Sequence, residues 1–217
     1  IIDNDSGVLR IDDFEIDEGD DGTTEAIFKV HLSKATSLPF TVDYSTENGT
    51  ATVTDADYNP ITGSKLSFSG TLANEIREIR IYINGDKKIE ADETFKVLLS
   101  NLSNLFEGRL SIERATAVGT IKNDDNAIIK VTGRDGMETG PQSAYFIFSF
   151  PTGYSADIPT EVVYRLGGKA IAGGTDFTGV VEGSIIIKPG DERAILELPV
   201  IDDDIVEDDE TISIIIK

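Results

Sequence analysis

The chain has 217 residues, no Cys, no Trp, one His and a formal net charge of -21, with 39% apolar residues. That balance argues against nucleic acid and anionic membrane surfaces, which demand basic patches, and leaves cations or basic protein surfaces as partners. Absence of cysteine removes disulfides and thiolate metal sites while leaving the compartment open, and the composition is too apolar and patterned for disorder.

No apolar run approaches the roughly 20 residues of a membrane span, so no membrane insertion is expected. Residues 1–7 lack signal-peptide character, and the chain reads as a piece of something longer. Ile1-Ile2-Asp3-Asn4-Asp5 closely matches Ile121-Lys122-Asn123-Asp124-Asp125. Residues 1–6 are therefore read as the tail of a preceding repeat. From Val8 onward the pattern is β throughout. Ala26, Phe28, Val30 and Leu32 alternate on one face, followed by Phe40, Val42 and Tyr44, then Leu66 and Phe68. Ile79, Ile81 and Ile83, then Phe95, Val97 and Leu99, then Ala117, Gly119 and Ile121 continue the alternation. Turn clusters at Asp20-Asp21-Gly22, Glu47-Asn48-Gly49 and Asn84-Gly85-Asp86 separate the strands. Roughly seven short strands in about 110 residues, with no helical period, predict an antiparallel sandwich over 7–125. His31, out of phase with the apolar face, is expected to face solvent.

After Asn126 the pattern begins again. Ala144, Phe146, Phe148 and Phe150 echo the Ala26 strand, Val162 and Tyr164 echo Val42 and Tyr44, and Thr175-Asp176-Phe177 echoes Ala56-Asp57-Tyr58. Glu210-Thr211-Ile212 echoes Glu93-Thr94-Phe95. The prediction is all-β: two tandem immunoglobulin-like antiparallel β-sandwiches, with 126–217 a second repeat that stops before its last strand. Its open edge is a place where residues 1–5 of another copy would add a strand.

Residues 201–210 put seven carboxylates into ten positions. Two carboxylates about 5 Å apart repel by roughly 3 kcal/mol at an effective dielectric near 20, so such a turn either splays into water or shares a cation. Calcium, with about 6 to 8 oxygen ligands in forgiving geometry, fits best; the alternative is a solvated acidic loop. Acidic elements recur at matching places. The first half has Glu18, Asp57, the turn Asp86…Glu90…Glu93, and Asn123-Asp124-Asp125; the second has Glu138, Asp176 and Asp202-Asp203-Asp204…Glu207…Glu210. Strand connections gather at one end of a sandwich, where such loops would converge.

Asn48-Gly49-Thr50-Ala51 leading to Asp57-Tyr58, the stretch Ile201–Thr211, and Gly119-Thr120-Ile121-Lys122-Asn123-Asp124-Asp125 together resemble the Calx-beta repeat family over about 200 residues. That family is known from regulatory loops of sodium/calcium exchangers and from tandem arrays in large surface proteins. The resemblance implies a calcium cluster at one end of each sandwich. The ligands it implies are Glu18, Asp57, Asp86, Glu90, Glu93, Asp124 and Asp125 in repeat 1. In repeat 2 they are Glu138, Asp176, Asp202, Asp203, Glu207 and Glu210, with the backbone carbonyl of Ile205. Repeat 1 departs from the pattern: Gly85 stands where a carboxylate is expected, Lys87 and Lys88 lie inside the turn, and Asn123 replaces an acid. A weaker site or fewer ions is expected there.

The function expected is a non-enzymatic, calcium-binding repeat of a large surface or secreted protein, with adhesive or structural roles. Asp124 and Asp125 adjoin the linker at Asn126, so an ion there would stiffen the joint between repeats. The alternative is a regulatory calcium sensor of a membrane transporter or receptor, with the chain then on the cytoplasmic side. Neighbouring repeats of the same chain, and other protein surfaces, are the remaining partners. Paired acids also serve glycosidases, but there is no Trp to stack on sugar and no nucleophile motif around the one His.

Overall fold

A computed structural model describes residues 4–103, 105–106, 108–206 and 208–217 of the chain. Among these it is all-β, and no helix is long and apolar enough to cross a membrane. The chain divides into two compact units, one of residues 1–86 and 91–124, the other of residues 87–90 and 125–217.

The first unit is a two-sheet sandwich. One sheet has the order β6-β3-β1-β9, from β6 (Ile76–Asn84), β3 (Thr23–Leu32), β1 (Gly7–Ile11) and β9 (Leu110–Arg114). The other runs β2-β10-β8-β4-β5, from β2 (Phe14–Asp17), β10 (Thr116–Lys122), β8 (Glu93–Ser100), β4 (Phe40–Asn48) and β5 (Ser64–Phe68). The period-2 apolar pattern becomes the core: Ala26, Phe28, Val30 and Leu32 of β3 are buried, as are Ile79, Ile81 and Ile83 of β6 and Phe95, Val97 and Leu99 of β8. Phe95 joins the layers, edge-on to Phe28 at 5.8 Å and stacked on Tyr58 at 4.6 Å between centroids. His31 lies half-buried in the sheet rather than facing solvent, because Asp12 Oδ2 meets its Nε2 at 2.7 Å.

Pairing is antiparallel except at the edges, where β1 lies parallel to β9 and β2 parallel to β10. The chain changes sheets at Asp12-Asp13. Asp13 Oδ1 accepts the Val118 backbone N–H at 2.7 Å and takes Arg114 Nη2 at 2.5 Å, tying this corner to the opposite sheet. These hydrogen bonds, led by the one from Arg114, hold the Asp13 carboxyl below its ordinary value of 3.8. From there β2 follows β10 in step as far as the pair Asp17–Lys122, which brings Glu18 to the end of β10.

The second unit repeats the plan with fewer strands. Its sheets are β11-β12-β16, from β11 (Lys130–Arg134), β12 (Ala144–Ser149) and β16 (Arg193–Leu198), and β15-β14-β17, from β15 (Glu182–Ile187), β14 (Thr160–Gly168) and β17 (Ile212–Ile216). Phe148, Val162, Tyr164, Leu166, Phe177, Ile187 and Leu198 form its core. Strand β8 has β4 and β10 on its two sides, whereas its counterpart β17 pairs with β14 alone among the described strands. A short parallel pair, β7 (Lys88–Ile89) on β13 (Ser155–Ala156), also belongs to this unit.

Glu75 is a buried acid that the apolar pattern does not announce. Its carboxylate accepts backbone N–H groups from Ser69 at 2.9 Å and Gly70 at 2.8 Å and the Ser69 hydroxyl at 3.0 Å, and Arg77 Nη2 closes on it at 2.5 Å. Burial alone would raise its pKa; the amides, hydroxyl and guanidinium outweigh that and hold it below the ordinary 4.5. A depressed folded pKa gives stability that is present above the unfolded value and is lost as pH falls through the folded one. Glu75→Gln turns an amide N–H₂ toward backbone donors, so stability near pH 7 should drop by about 1.5–3 kcal/mol. The same variant should show a shallower loss of stability below pH 4.5 in pH-dependent denaturant melts.

Candidate metal centre

The parallel run of β2 beside β10 sets the geometry of the first unit's acidic end. Glu18, directly after β2, is only 3% exposed and donates its backbone N–H to Lys122 O at 3.0 Å. The next residue, Gly19, has φ +90° and donates its N–H to Asp124 Oδ1 at 2.9 Å. The N-terminal edge and the end of β10 therefore deliver acids to one place.

Asp57 arrives from a different segment. It is 7% exposed, its Oδ2 accepts Thr52 N–H at 2.6 Å, its own N–H goes to Thr52 O at 3.1 Å, and its carbonyl accepts Asn84 N–H at 3.0 Å. That closed turn holds Ala56 at φ 69°, a left-handed conformation that costs a non-glycine residue roughly 1–2 kcal/mol, and Asn84 Nδ2 secures the Ala56 carbonyl. The last bond, from Asn84 to Asp57, fastens the turn to the end of β6, where the acidic segment starting at Asp86 begins.

The carboxylates meet in two places. An oxygen of Glu18 lies within 4.8 Å of one from Asp86, and an oxygen of Asp57 lies within 4.8 Å of one from Glu93 at the start of β8. At an effective dielectric near 20, like charges at that spacing repel by about 3 kcal/mol, and both Glu18 and Asp57 bear the charge while buried. The donors are all oxygen, with neither thiol nor imidazole among them, which is the set that suits a hard cation such as calcium. Asp92, unremarked in the sequence pattern, belongs to the same end: its Oδ1 accepts the Asn123 N–H at 3.2 Å. Its position between Glu90 and Glu93 is the only signal that could have found it.

Glu90 and Asp125 fold with the second unit. Asp125 is 4% exposed. Glu90 Oε1 is 2.5 Å from Lys88 Nζ, which also reaches Asp157 Oδ2 at 2.6 Å, so this acid is met by a cation of its own chain. Burial would pull the Lys88 pKa down, but its bonds to Asp157 and Glu90 more than reverse this and keep the ammonium charged. Lys87 Nζ stands 5.8 Å over the Tyr154 ring.

In the second unit, Asp176 repeats the Asp57 turn. Its Oδ2 accepts Ile171 N–H at 2.5 Å, its N–H goes to Ile171 O at 3.2 Å, and its carbonyl accepts Ile201 N–H at 2.9 Å. Asp176, Glu138 and Glu210 line one cleft of about 630 Å³, with Asp208 and Asp209 at its wall. Asp202, Asp203 and Ile205 are exposed and lie outside that lining; Asp203 Oδ1 accepts the Ile205 N–H at 2.7 Å. Glu207 lies outside the described residues. Among the described residues, Glu138, Asp176, Asp202, Asp203 and Glu210 form no group of three with oxygens within 4.8 Å of one another. The structure gathers acids closely in the first unit and spreads them in the second.

The family model described as the Calx-beta domain matches residues 3–125 and 158–217. No curated protein matches. Among solved structures, the apo-form Calx CBD1 domain is 22% identical over 56% of this chain and 100% of its own, with a TM-score of 0.46. The calcium binding domain CBD12 of CALX1.1 is 19% identical over 89% of this chain and 76% of its own, with a TM-score of 0.43. The fimbriae chaperone CfaA is 10% identical over 95% and 98%, with a TM-score of 0.35.

Gly85, where the sequence comparison of the two halves expects an acid, has a packing reason. A Cβ there would lie 2.1 Å from the Gly19 carbonyl oxygen, while the Gly85 N–H is committed to Gly22 O at 3.1 Å. Gly85→Asp, which would restore the carboxylate that the second repeat carries as Asp202, should therefore lower stability by about 1–3 kcal/mol through forced loop displacement. Gly85→Ala should do nearly the same, and thermal melts of both variants check it.

Proposed function

This chain belongs to the Calx-beta family, and we propose that it is a non-enzymatic calcium-binding repeat module of a large surface or secreted protein, with calcium stiffening the joint between successive repeats. The observation that carries the reading is the pairing of acids from segments far apart in sequence, Glu18 with Asp86 and Asp57 with Glu93, at spacings that a divalent cation would relieve. The residues that would hold the ion in the first repeat are these four with Asp124, joined by Glu90 and Asp125; in the second they are Glu138, Asp176, Asp202, Asp203, Glu207 and Glu210, with the Ile205 carbonyl. Calcium would supply charge neutralisation and multidentate bridging. The chain's own part is to hold the carboxylates in place through the Thr52–Asp57 and Gly19–Asp124 hydrogen bonds.

Position in the chain supports the mechanical part of the proposal. The boundary between the two units falls at the Asp124–Asp125 peptide bond, so both partners of that bond are acids of the proposed cluster. An ion held by them restricts rotation about the linker directly.

Titration calorimetry with calcium should give binding in the weak range of extracellular modules, about 10⁻⁴ to 10⁻³ M; submicromolar affinity would mark a sensor instead. Calcium at about 100 times its Kd should stabilise the chain by roughly 2.7 kcal/mol, and Asp57→Asn with Glu93→Gln should remove much of that gain. Small-angle scattering should show a broader distribution of inter-repeat angles in chelator than in calcium. Identical profiles would rule out the stiffening role.

A further inference from the structure

The acid-rich turn of each repeat carries two residues at its tip, and the two tips differ in one respect. In the register that sets Asn84 on Ile201 and Glu93 on Glu210, the tip residues Lys88 and Ile89 correspond to Ile205 and Val206. The structure supports this register independently, since Asn84 N–H bonds to the Asp57 carbonyl as Ile201 N–H bonds to that of Asp176. Lys88 and Ile89 form β7, paired in parallel with Ser155 and Ala156, and the Asp157 N–H donates to Ile89 O at 3.1 Å. Ile205 and Val206 are 62% and 99% exposed, two β-branched residues suited to a strand and standing in water.

We propose that Ile205–Val206 is a docking strand for another Calx-beta repeat, taking from that repeat a short segment equivalent to Ser155–Ala156. The inference rests on the tandem-array reading above. Parallel pairing needs only backbone groups and small side chains on the incoming segment, so the flanking residues decide which segment fits. At β7 those flanks are basic: Lys88 holds Asp157, and Lys87 stands over Tyr154. At the second tip Asp204 and Ile205 replace them, between Asp202-Asp203 and Asp208-Asp209. The matching segment therefore has two small residues preceded by a basic residue in place of Tyr154, with an uncharged one in place of Asp157.

The chain has no cysteine, so pairs of introduced cysteines report proximity cleanly. Neighbouring strands sit about 4.8 Å apart, inside the Cα separation a disulfide bridges. The same register sets Lys217 on Ser100, so a copy of residues 101–217 appended after Lys217 completes the second repeat and adds a third. In the added copy, Tyr154→Lys and Asp157→Asn supply the matching flanks. Val206→Cys with Ala156→Cys of the added copy should oxidise to an intrachain disulfide to within about twofold of the yield of Ile89→Cys with the original Ala156→Cys. Restoring Tyr154 and Asp157 in the added copy should reduce the yield severalfold. A yield for the Val206 pair no higher than for Ile195→Cys with the same added cysteine, while the Ile89 pair closes, overturns the proposal. Trapping in chelator as well as in calcium separates this outcome from a failure of calcium binding, which calorimetry reads on its own.

Discussion

The change of sheet at Asp12-Asp13 is the constraint on which the first unit's chemistry depends. A strand that stayed in the first sheet would carry Glu18 away along β3. Because Asp13 is fastened to Val118 and Arg114, the edge crosses over and β2 continues parallel to β10. Two segments running in the same direction finish at the same end of the sandwich, so Glu18 and Asp124 arrive together. The Asp57 turn and the start of β8 reach that end by ordinary antiparallel returns. Convergence of the acids is thus a property of topology, and the individual carboxylates need only be correctly spaced along their strands.

The two halves use one turn design with different surroundings. Asp57 and Asp176 make the same three backbone contacts, so the aspartate is first a structural brace of its loop. Beyond that brace the first unit surrounds its acids with packed backbone and engages Glu90 with Lys88. The second places Asp176, Glu138 and Glu210 around an open cleft and leaves Asp202 and Asp203 in solvent. Basic residues in the first turn and acidic residues in the second thus accompany two different ways of managing like charge: close packing with a tethered ammonium, and separation into water.

Much of the fold was legible in the sequence because strand alternation is written directly by the side chains: Ala26, Phe28, Val30 and Leu32 are all buried as their spacing predicts. Repetition of Asp-aromatic pairs likewise disclosed Tyr58 and Phe177 as core anchors, 1% and 2% exposed. What the pattern could not disclose are neighbours. Period 2 fixes which face a residue occupies and says nothing of which strand lies alongside, so the parallel edges and the β7–β13 pair were invisible. Glu75 was missed for a related reason, since its partners are backbone amides of Ser69 and Gly70, which carry no residue identity. His31 was misplaced because Asp12, beside it only after folding, gives it a partner within the sheet.

The close approach of Gly85 to Gly19 has an evolutionary corollary. With one backbone oxygen filling the space a side chain at 85 would need, and with Gly19 itself held at φ +90°, neither position can diversify before the other moves. A duplicated module that once acquired this contact has no single-step route back to an acid at that place. Divergence between the paired copies becomes locked in by sterics, so their difference in composition outlasts whatever selective pressure first produced it.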